Sequence, residues 1–440
     1  MTLAEVLDKF QEHSIQRVKL GAFDIDGVLR GKYISVEKFE SAAEGGMGFC
    51  DVVFGWDIGD VLYDNAAVTG WHTGYPDAHA RIDLSTFRLI PWEPGTAFFL
   101  LDIHLDMSPR RVLQRVIEMA KAQGYRACFA AEYEFWMFRE TPQSLREKGF
   151  RNLTPLSHGM FGYSILRASQ HAPLVLGLIE QLKSFDVPLE GFHTETGPGV
   201  YEAAIAVDHA LAAADKAALF KSAVKEISTR HGAIPTFMAK WSAELPGSSG
   251  HLHQSLWRGS ENAFFDREQR MSPPMKSYIA GLVRHMPEFQ VMFCPTINSY
   301  KRTVIGAWAP VNATWGIDNR TTAVRAIPGS EKSTRVELRL SGADMNPYLA
   351  MAAALAAGLD GIENKLEPGE PVTNAYGAKD APALARNLRE ATDRFRSSET
   401  ARKWFGDVFV DHFAATRDWE MRQFEKCVTD WELTRYLESI

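Results

Sequence analysis

The sequence predicts an α+β protein with a small N-terminal domain and a larger C-terminal one. The chain of 440 residues exceeds what one compact core usually holds, which favours two domains. Short strand patterns fill the first part of the chain, whereas strands alternate with long helices in the remainder. Ser108 and Pro109 suit the N-cap and the first position of a helix, so we divide the chain into residues 1–105 and 106–440.

The N-terminal domain is predicted to contain a small mixed sheet. An amphipathic helix over residues 3–12 precedes a strand over residues 18–28. Residues 54–82 are rich in Gly, Asp and Trp and show no periodicity, which predicts a long loop of the kind that often serves a function. The other strands of this sheet are predicted at residues 32–35, 50–53, 87–91 and 98–102.

The C-terminal domain is predicted to combine strands with long helices, several of which begin at a proline. The helical tail from Pro382 onward carries aromatic residues that suit a core or a subunit interface better than a cofactor site. The strands are predicted at residues 126–138, 187–194, 201–207, 233–238, 251–257 and 335–340. The helices are predicted at residues 109–124, 173–185, 209–230, 273–285 and 347–365.

The composition is that of an ordinary globular protein, with 45% apolar and 23% charged residues. The net charge is 48 minus 55, or −7, without a basic block, which disfavours a dedicated nucleic-acid or membrane-surface binder. The four cysteines form no CxxC pair and favour free thiols over a disulfide or zinc framework. The N-terminus lacks a signal-peptide pattern, and the most apolar helix candidate, residues 348–359, is too short to span a bilayer. These features predict a cytoplasmic protein.

A glycine-rich turn at residues 245–250 leads into an alternating strand that places His251, His253 and Ser255 on one face. Three polar groups at two-residue spacing suit a strand end that faces a metal ion or a phosphate. A solvated edge strand is the alternative, because isolated histidines are usually structural.

Carboxylates follow the same alternation on other strands. Glu132 and Glu134 share one face of their strand, opposite an apolar face. The turn at residues 197–199 predicts a hairpin that brings Glu195 close to Glu202. Carboxylates this close repel one another unless a cation or a base lies between them. A solvated strand face is again the alternative.

Arginines accompany these carboxylates. Arg335, Glu337 and Arg339 alternate on one strand face, and residues 298–302 and 318–325 add arginines at loop edges. The Arg-Glu-Arg row could be a neutralised surface, or the glutamate could hold a metal ion while the arginines bind anions. Such a donor set suits Mg²⁺ or Mn²⁺ better than zinc. Arginines beside such ions indicate phosphoryl transfer.

Two family resemblances arise from these motifs. The strand that ends at Asp24-Ile-Asp26 resembles the first motif of haloacid-dehalogenase-type phosphatases, but no regular strand–helix alternation follows it. A set of motifs in order resembles the glutamine synthetase family from about residue 100 to 365. They are Glu132-x-Glu134, the hairpin from Glu195 to Glu202, Phe237-Met-Ala-Lys240, the loop from Gly247 to Ser255, Asn298-Ser-Tyr-Lys-Arg302, Asp318-Asn-Arg320, and Arg335-Val-Glu-Leu-Arg339 with Asn346-Pro-Tyr348.

The glutamine synthetase resemblance implies a fold and a reaction. The fold would be a small N-terminal β-grasp domain and a large catalytic domain with a curved antiparallel sheet and packed helices. Asp24 and Asp26 would then belong to a β-turn. The reaction would be amide formation in two steps, in which ATP phosphorylates the γ-carboxylate of glutamate and an amine then displaces the phosphate. The active sites would lie between subunits of stacked rings.

The resemblance also implies roles for individual residues around two or more Mg²⁺ or Mn²⁺ ions. One ion would be held by Glu134, Glu195 and Glu202, and the other, which bridges the ATP phosphates, by Glu132, His251 and Glu337. The nucleotide and its phosphates would contact His253, Ser255, Arg325 and Arg335, with Arg320 at the transferring phosphoryl group. Glutamate would lie along Gly247, Glu134 and His251 and bind Arg302 and Arg339. A neighbouring subunit would supply Asp57 to the amine site.

Two positions depart from the pattern of ammonia-using members. Trp308 occupies the place of a flap glutamate that helps to deprotonate ammonium, a task that a neutral aromatic ring cannot perform. The substitution resembles the branch of the family that joins glutamate to organic amines, such as γ-glutamylpolyamine and γ-glutamylmethylamide synthetases. Pro246 stands in place of an asparagine that contacts glutamate. The alternatives are a true glutamine synthetase, or a non-enzymatic structural relative, which would be expected to have lost metal ligands.

Overall fold

The N-terminal part of the chain forms a six-stranded sheet with two helices. The structure is a computed structural model that describes residues 1–268, 270–306, 308–378 and 380–440. The strands follow the order β2-β1-β6-β4-β3, and β5 pairs with β6. These elements are α1 (Leu3–Glu12), β1 (Arg17–Phe23), β2 (Leu29–Ile34), α2 (Val36–Gly45), β3 (Met47–Cys50), β4 (Asp77–Ile82), β5 (Arg88–Leu89) and β6 (Thr96–Ile103).

The remainder of the chain forms a ten-stranded sheet covered by helices. The strands are β7 (Arg126–Phe138), β8 (Leu189–Thr194), β9 (Val200–Ile205), β10 (Asp208–His209), β11 (Ile234–Thr236), β12 (Gly250–Arg258), β13 (Glu261–Asn262), β14 (Trp315–Ile317), β15 (Val324–Ile327) and β16 (Arg335–Leu338). The helices are α3 (Pro109–Ala122), α4 (Pro142–Glu147), α5 (Ile165–Gln170), α6 (Ala172–Ser184), α7 (Ala210–Arg230), α8 (Pro273–Phe293), α9 (Pro347–Glu363), α10 (Leu388–Ser397), α11 (Glu399–Phe405), α12 (Asp407–Glu425) and α13 (Asp430–Tyr436).

The large sheet is antiparallel apart from the β14–β15 pair and runs in the order β14-β15-β16-β12-β7-β9-β8. One face of β7 packs on α7, where the rings of Tyr133 and Phe220 stack with centroids 5.8 Å apart. The alternation of β7 therefore turns its glutamates toward the opposite face. The α+β fold with an antiparallel-rich sheet and packed helices agrees with the fold predicted from the sequence.

Helices α8 and α9 form the apolar layer behind the sheet. Helix α9 is buried along most of its length because it consists largely of alanine and leucine. A Cβ atom at Gly281 would lie 2.1 Å from the carbonyl oxygen of Ala357, so the close approach of the two helices requires glycine there. No helix in the described part of the chain combines the length and the apolar character needed to cross a bilayer.

Several predicted elements differ from the structure in the N-terminal region. The strand predicted over residues 50–53 is a 3₁₀ turn, Asp51–Phe54, that follows β3. The long loop predicted over residues 54–82 is shorter, because β4 occupies its end. Helix α2 was not predicted, although Ser35 caps it by accepting a hydrogen bond from the backbone N–H of Lys38.

Two further differences concern element ends. Strand β1 ends at Phe23, and Asp24 then accepts hydrogen bonds from the backbone N–H groups of Asp26 and Val28. This turn agrees with a structural role for Asp24. Helix α8 continues beyond the predicted end at residue 285 to Phe293 and passes through Pro287, because the apolar residues after the proline are buried. The boundary between residues 105 and 106 stays a prediction.

Candidate active site

The register of the large sheet places polar residues from six strands beside one another. On the face opposite α7, the side chains of β7 alternate with the apolar residues of the core. The paired positions are His251 with Glu132, Glu134 with Glu202, His193 with Glu202, His253 with Glu337 and Arg325 with Glu337. Residues that are far apart in the sequence therefore form one continuous polar surface.

The first group of side chains, here called the arginine-balanced cluster, consists of Glu132, His251, His253 and Glu337 with their arginine partners. His251 Nδ1 lies 3.5 Å from a carboxylate oxygen of Glu132 and 3.5 Å from one of Glu337. His253 Nε2 lies 3.4 Å from Glu132 Oε2. One ligand atom each from Glu132, His253 and Glu337 lie within 4.8 Å of one another, a spacing that could hold a metal ion.

Arginines neutralise the buried carboxylate of this cluster. Arg325 Nη1 donates to Glu337 Oε2 over 2.9 Å, and Arg339 Nη1 donates to the other oxygen of Glu337. Arg335 Nε donates to His253 Nδ1 over 3.1 Å. Burial alone would raise the pKa of Glu337, but the neighbouring histidines and arginines lower it to about 2. Hydrogen bonds from His251 and His253 likewise overcome burial and hold the pKa of Glu132 well below its usual range.

The second group, here called the hairpin cluster, consists of Glu134, His193, Glu195 and Glu202. The turn between β8 and β9 brings one ligand atom each of His193, Glu195 and Glu202 within 4.8 Å of one another, as the predicted hairpin requires. His193 Nε2 is hydrogen-bonded to Glu202 over 3.1 Å. Glu134 accepts a hydrogen bond from the backbone N–H of Ser249 over 2.8 Å.

The hairpin cluster has a surplus of negative charge. Burial raises the pKa of Glu202 to about 8, and the charges of Glu132 and Glu134 add to this effect against the hydrogen bond from His193. Burial also raises the pKa of Glu195, and the charge of Glu134 contributes. Carboxylates whose charges are so poorly compensated fit a hard divalent cation, which would be bound through their oxygens. The donor set of this cluster therefore suits a metal ion.

Two buried arginines lie beside the glycine-rich turn. Arg302 is 5% exposed and Arg339 is 6% exposed. A Cβ atom at Gly247 would lie 2.7 Å from Cγ of Arg302, so this glycine permits the turn to approach the arginine. Arg302 donates hydrogen bonds to the backbone carbonyls of Leu340 and Arg339. These are the residues that the sequence predicts at the glutamate carboxylates.

The other predicted site residues lie at the rim or apart from the clusters. Ser255 accepts a hydrogen bond from Trp257 Nε1 on the same strand face, and Arg320 is exposed. Trp308 is 66% exposed and has a φ of 56°. Asp57 accepts a hydrogen bond from Trp419 Nε1 over 2.8 Å, and thus contacts α12 of its own chain. Its predicted contact with a neighbouring subunit stays a prediction.

The structure adds two residues that the sequence did not indicate. His193 belongs to the hairpin cluster, and its position two residues before Glu195 on the same strand face was the available signal. Tyr163 stacks on His193 with ring centroids 4.4 Å apart. Because Tyr163 lies outside regular structure and about thirty residues before its partner, no local pattern could have identified it.

This face of the sheet defines a protein that can hold divalent cations beside bound carboxylate or phosphate groups. The model of the glutamine synthetase catalytic domain family matches residues 106–436. The chain therefore belongs to the glutamine synthetase family, as its motifs predicted.

Individual relatives fall into two groups by name. The chain is 49% identical to type-1 glutamine synthetase 2 of Dictyostelium discoideum, over 96% of this chain and 84% of that one. It is 42% identical to a glutamate–isopropylamine ligase of a Pseudomonas species, over 100% and 98%. It is 36% identical to a γ-glutamylethanolamide synthetase of Streptomyces coelicolor, over 97% and 93%. A solved structure of GmaS without ligand has a TM-score of 0.86 and 26% identity, with 99% of both chains covered.

Proposed function

We propose that the protein is an ATP-dependent ligase that joins the γ-carboxylate of glutamate to a small organic amine. The observation that carries this proposal is the exposed indole of Trp308, at the position that the family resemblance assigns to the flap glutamate. An aromatic ring can pack against an alkyl or aryl group or hold a cationic amine over its face, whereas it cannot accept a proton from ammonium. The names of the isopropylamine and ethanolamide relatives support the same class of substrate.

The metal ions would be held by the two clusters. Glu134, Glu195 and Glu202, with His193 beside them, supply donors for one ion, and Glu132, Glu337 and the histidines of β12 supply donors for the other. Bound Mg²⁺ or Mn²⁺ would neutralise the phosphate oxygens of ATP and the charge of the glutamate γ-carboxylate.

Residues of the chain would then align the substrates for two steps, the transfer of the phosphoryl group to glutamate and the transfer of the glutamyl group to the amine. Buried Arg302 and Arg339 would bind the carboxylates of glutamate, while Arg325 and Arg335 would bind phosphate oxygens. An oxygen of the γ-carboxylate attacks the terminal phosphorus of ATP, and ADP leaves. The amine nitrogen then attacks the acyl carbon and loses a proton, and phosphate leaves as the amide forms. Arg320 would neutralise the phosphoryl group during transfer.

Assembly would complete this site. An Asp57 side chain from a neighbouring subunit would lie at the amine end, which requires stacked rings in which active sites form between subunits. In that arrangement Asp57 would exchange its hydrogen bond with Trp419 for a contact across the interface. We place the assembled enzyme in the cytoplasm.

Ammonia-dependent glutamine synthesis is the second candidate, and the 49% identity to a relative named glutamine synthetase favours it. The test is ATP consumption by the purified protein with glutamate and either ammonia, methylamine, isopropylamine, ethanolamine, aniline or putrescine. We expect kcat/KM for at least one organic amine to exceed that for ammonia by about tenfold, or about 1.4 kcal/mol of transition-state binding. Efficient use of ammonia that no organic amine matches would overturn the proposal.

The Trp308→Glu variant sharpens this test. Restoring a carboxylate at the flap should lower kcat/KM for the preferred organic amine and raise that for ammonia, each by roughly tenfold. Trp308→Phe is the matched control, because it keeps an aromatic face and should keep the preference for the organic amine. If Trp308→Glu keeps the same preference between the organic amine and ammonia, residue 308 does not determine which amine the enzyme uses.

A further inference from the structure

A large cavity lies on the helix side of the catalytic sheet, between the β1–β2 hairpin and α7. Its volume is about 820 Å³, within the range of small-molecule sites. The residues of the two metal clusters line the opposite face of the sheet and do not line this cavity. The cavity is therefore separate from the proposed active site.

Two lysines of α7 provide positive charge in one wall. Lys221 and Lys225 are one helical turn apart, and their Nζ atoms lie 5.7 Å and 5.9 Å from the centroid of the same Phe237 ring. Lys221 Nζ also donates to the backbone carbonyl of Met345 over 2.9 Å. Among the described residues no carboxylate lies within ion-pair distance of either ammonium group. Lys32 of β2 adds a third ammonium group, which lies 5.1 Å from the centroid of the Phe49 ring and has no ion pair among the described residues.

Of the other charged groups of the cavity, Glu420 has no ion pair among the described residues, although the charge of Arg417 acts on it, and the rest have partners. Lys19 pairs with Glu93 and Glu226, and Arg417 pairs with Asp26. Asp344, whose charge acts on Lys221, accepts hydrogen bonds from the hydroxyl groups of Thr296 and Ser299. Positive charge that no ion pair offsets is thus concentrated on the wall formed by α7 and β2.

Apolar side chains cover much of the remaining wall, including Val28, Leu29, Phe98, Phe237 and Met238. We propose that this cavity binds a small amphipathic anion, in which a phosphate or carboxylate group meets the unpaired lysines and an aromatic or aliphatic body lies against these residues. The charged group would bind the ammonium ions and the body would remove apolar surface from water.

Pyridoxal 5′-phosphate is a suitable probe, since it carries a phosphate, an aromatic ring and an aldehyde. Burial and the charge of Lys225 lower the pKa of Lys221 to about 7, so part of this amine is unprotonated at neutral pH. The amine attacks the aldehyde carbon, water leaves, and borohydride reduces the resulting imine to a stable amine. Peptide mass spectrometry then locates the label.

We expect Lys221 of the full-length enzyme to be labelled at least about tenfold faster than Lys183, which is exposed to solvent and does not line the cavity. Phenyl phosphate, which lacks an aldehyde, should slow labelling of Lys221 saturably and leave Lys183 unaffected. The variant Lys225→Met, which keeps a side chain of similar length, should weaken the protection of Lys221 by phenyl phosphate. The variant Lys183→Met should leave this protection unchanged. Equal labelling rates at both lysines, or equal inhibition by phenyl phosphate, would overturn the proposal.

Discussion

The arginine-balanced cluster and the hairpin cluster lie side by side on one sheet face and both combine glutamates with histidines, yet their electrostatics are opposite. In the arginine-balanced cluster, Glu337 is 1% exposed and bonded to Arg325 and Arg339, and its pKa falls to about 2. In the hairpin cluster, Glu202 is 8% exposed and its partner among the described ion pairs is His193. The pKa of Glu202 rises to about 8.

This difference indicates that ion pairs within the protein organise one cluster, whereas the carboxylates of the other are poorly compensated by the protein's own residues. Buried arginine–carboxylate pairs set the geometry of β12, β15 and β16 whether or not an ion is bound. The carboxylates on β7, on β9 and in the turn between β8 and β9 repel one another, and a divalent cation bound there would supply the compensating charge. Metal binding at the hairpin cluster should therefore be linked to proton release and to stability.

The largest expected effect is that of Glu337→Gln. The substitution leaves the guanidinium groups of Arg325 and Arg339 without their shared carboxylate, which for a buried pair costs about 3–5 kcal/mol of stability. The loss of a metal ligand should also lower kcat by about 10³-fold. Urea denaturation in EDTA measures the first effect, and ATP consumption measures the second.

Glu331→Gln is the control for this prediction, because Glu331 is exposed and lies shortly before the same strand. This substitution should leave the stability to urea in EDTA and the kcat for ATP consumption near those of the unmodified protein. If Glu337→Gln unfolds in EDTA at the same urea concentration as the unmodified protein, the arginine-balanced cluster is not organised by its ion pairs.

The second prediction is that losing a carboxylate from the hairpin cluster stabilises the protein, whereas losing Glu337 from the arginine-balanced cluster destabilises it. Glu202→Gln removes one of several repelling carboxylates, so it should stabilise the EDTA-treated protein by about 1 kcal/mol. The same change should weaken Mn²⁺ binding by about 100-fold, because a ligand oxygen is lost. Thermal unfolding with and without Mn²⁺ measures both effects.

Glu190→Gln tests whether the effect belongs to the cluster or to the hairpin in general. Glu190 is an exposed residue of β8 outside the group of donor atoms. Its substitution should change neither the stability in EDTA nor the affinity for Mn²⁺. A drop in stability in Glu202→Gln would show that the two clusters are electrostatically alike.

Most of the catalytic sheet could be predicted from the sequence because its strands alternate clearly. Strand β7 has the bounds that the pattern predicts, and the predicted proximity of Glu195 and Glu202 is present. The exact grouping of donors could not be predicted, since it depends on the register between strands. His253 approaches Glu132 as closely as His251 does, although the resemblance places the two histidines in different roles.

The missed features depend on contacts between distant segments or on overlooked local signals. Tyr163 is held over His193 because its backbone N–H donates to the carbonyl of Thr194, a contact that no local pattern encodes. In contrast, Ala78, Ala80 and Ile82 of β4 are buried in strict alternation. This pattern was present within the predicted loop, where the surrounding Gly and Asp residues obscured it.

The most gradual expected effect is a pH dependence of stability that separates the clusters. Between the ordinary glutamate pKa of 4.5 and about 8, folded Glu202 retains a proton that the unfolded chain has released, so raising the pH favours unfolding. His193, whose pKa rises to about 9, and Asp24, whose pKa rises to about 7, act in the same direction. In EDTA, stability should therefore fall between pH 6 and pH 9, by at most about 1.4 kcal/mol per pH unit for each group as it titrates.

Saturating Mn²⁺ should reduce the slope of stability against pH, because it keeps the carboxylates ionised in the folded protein. The slope in EDTA should also be smaller in Glu202→Gln; an identical slope in that variant would assign the effect to His193 and Asp24 and not to Glu202.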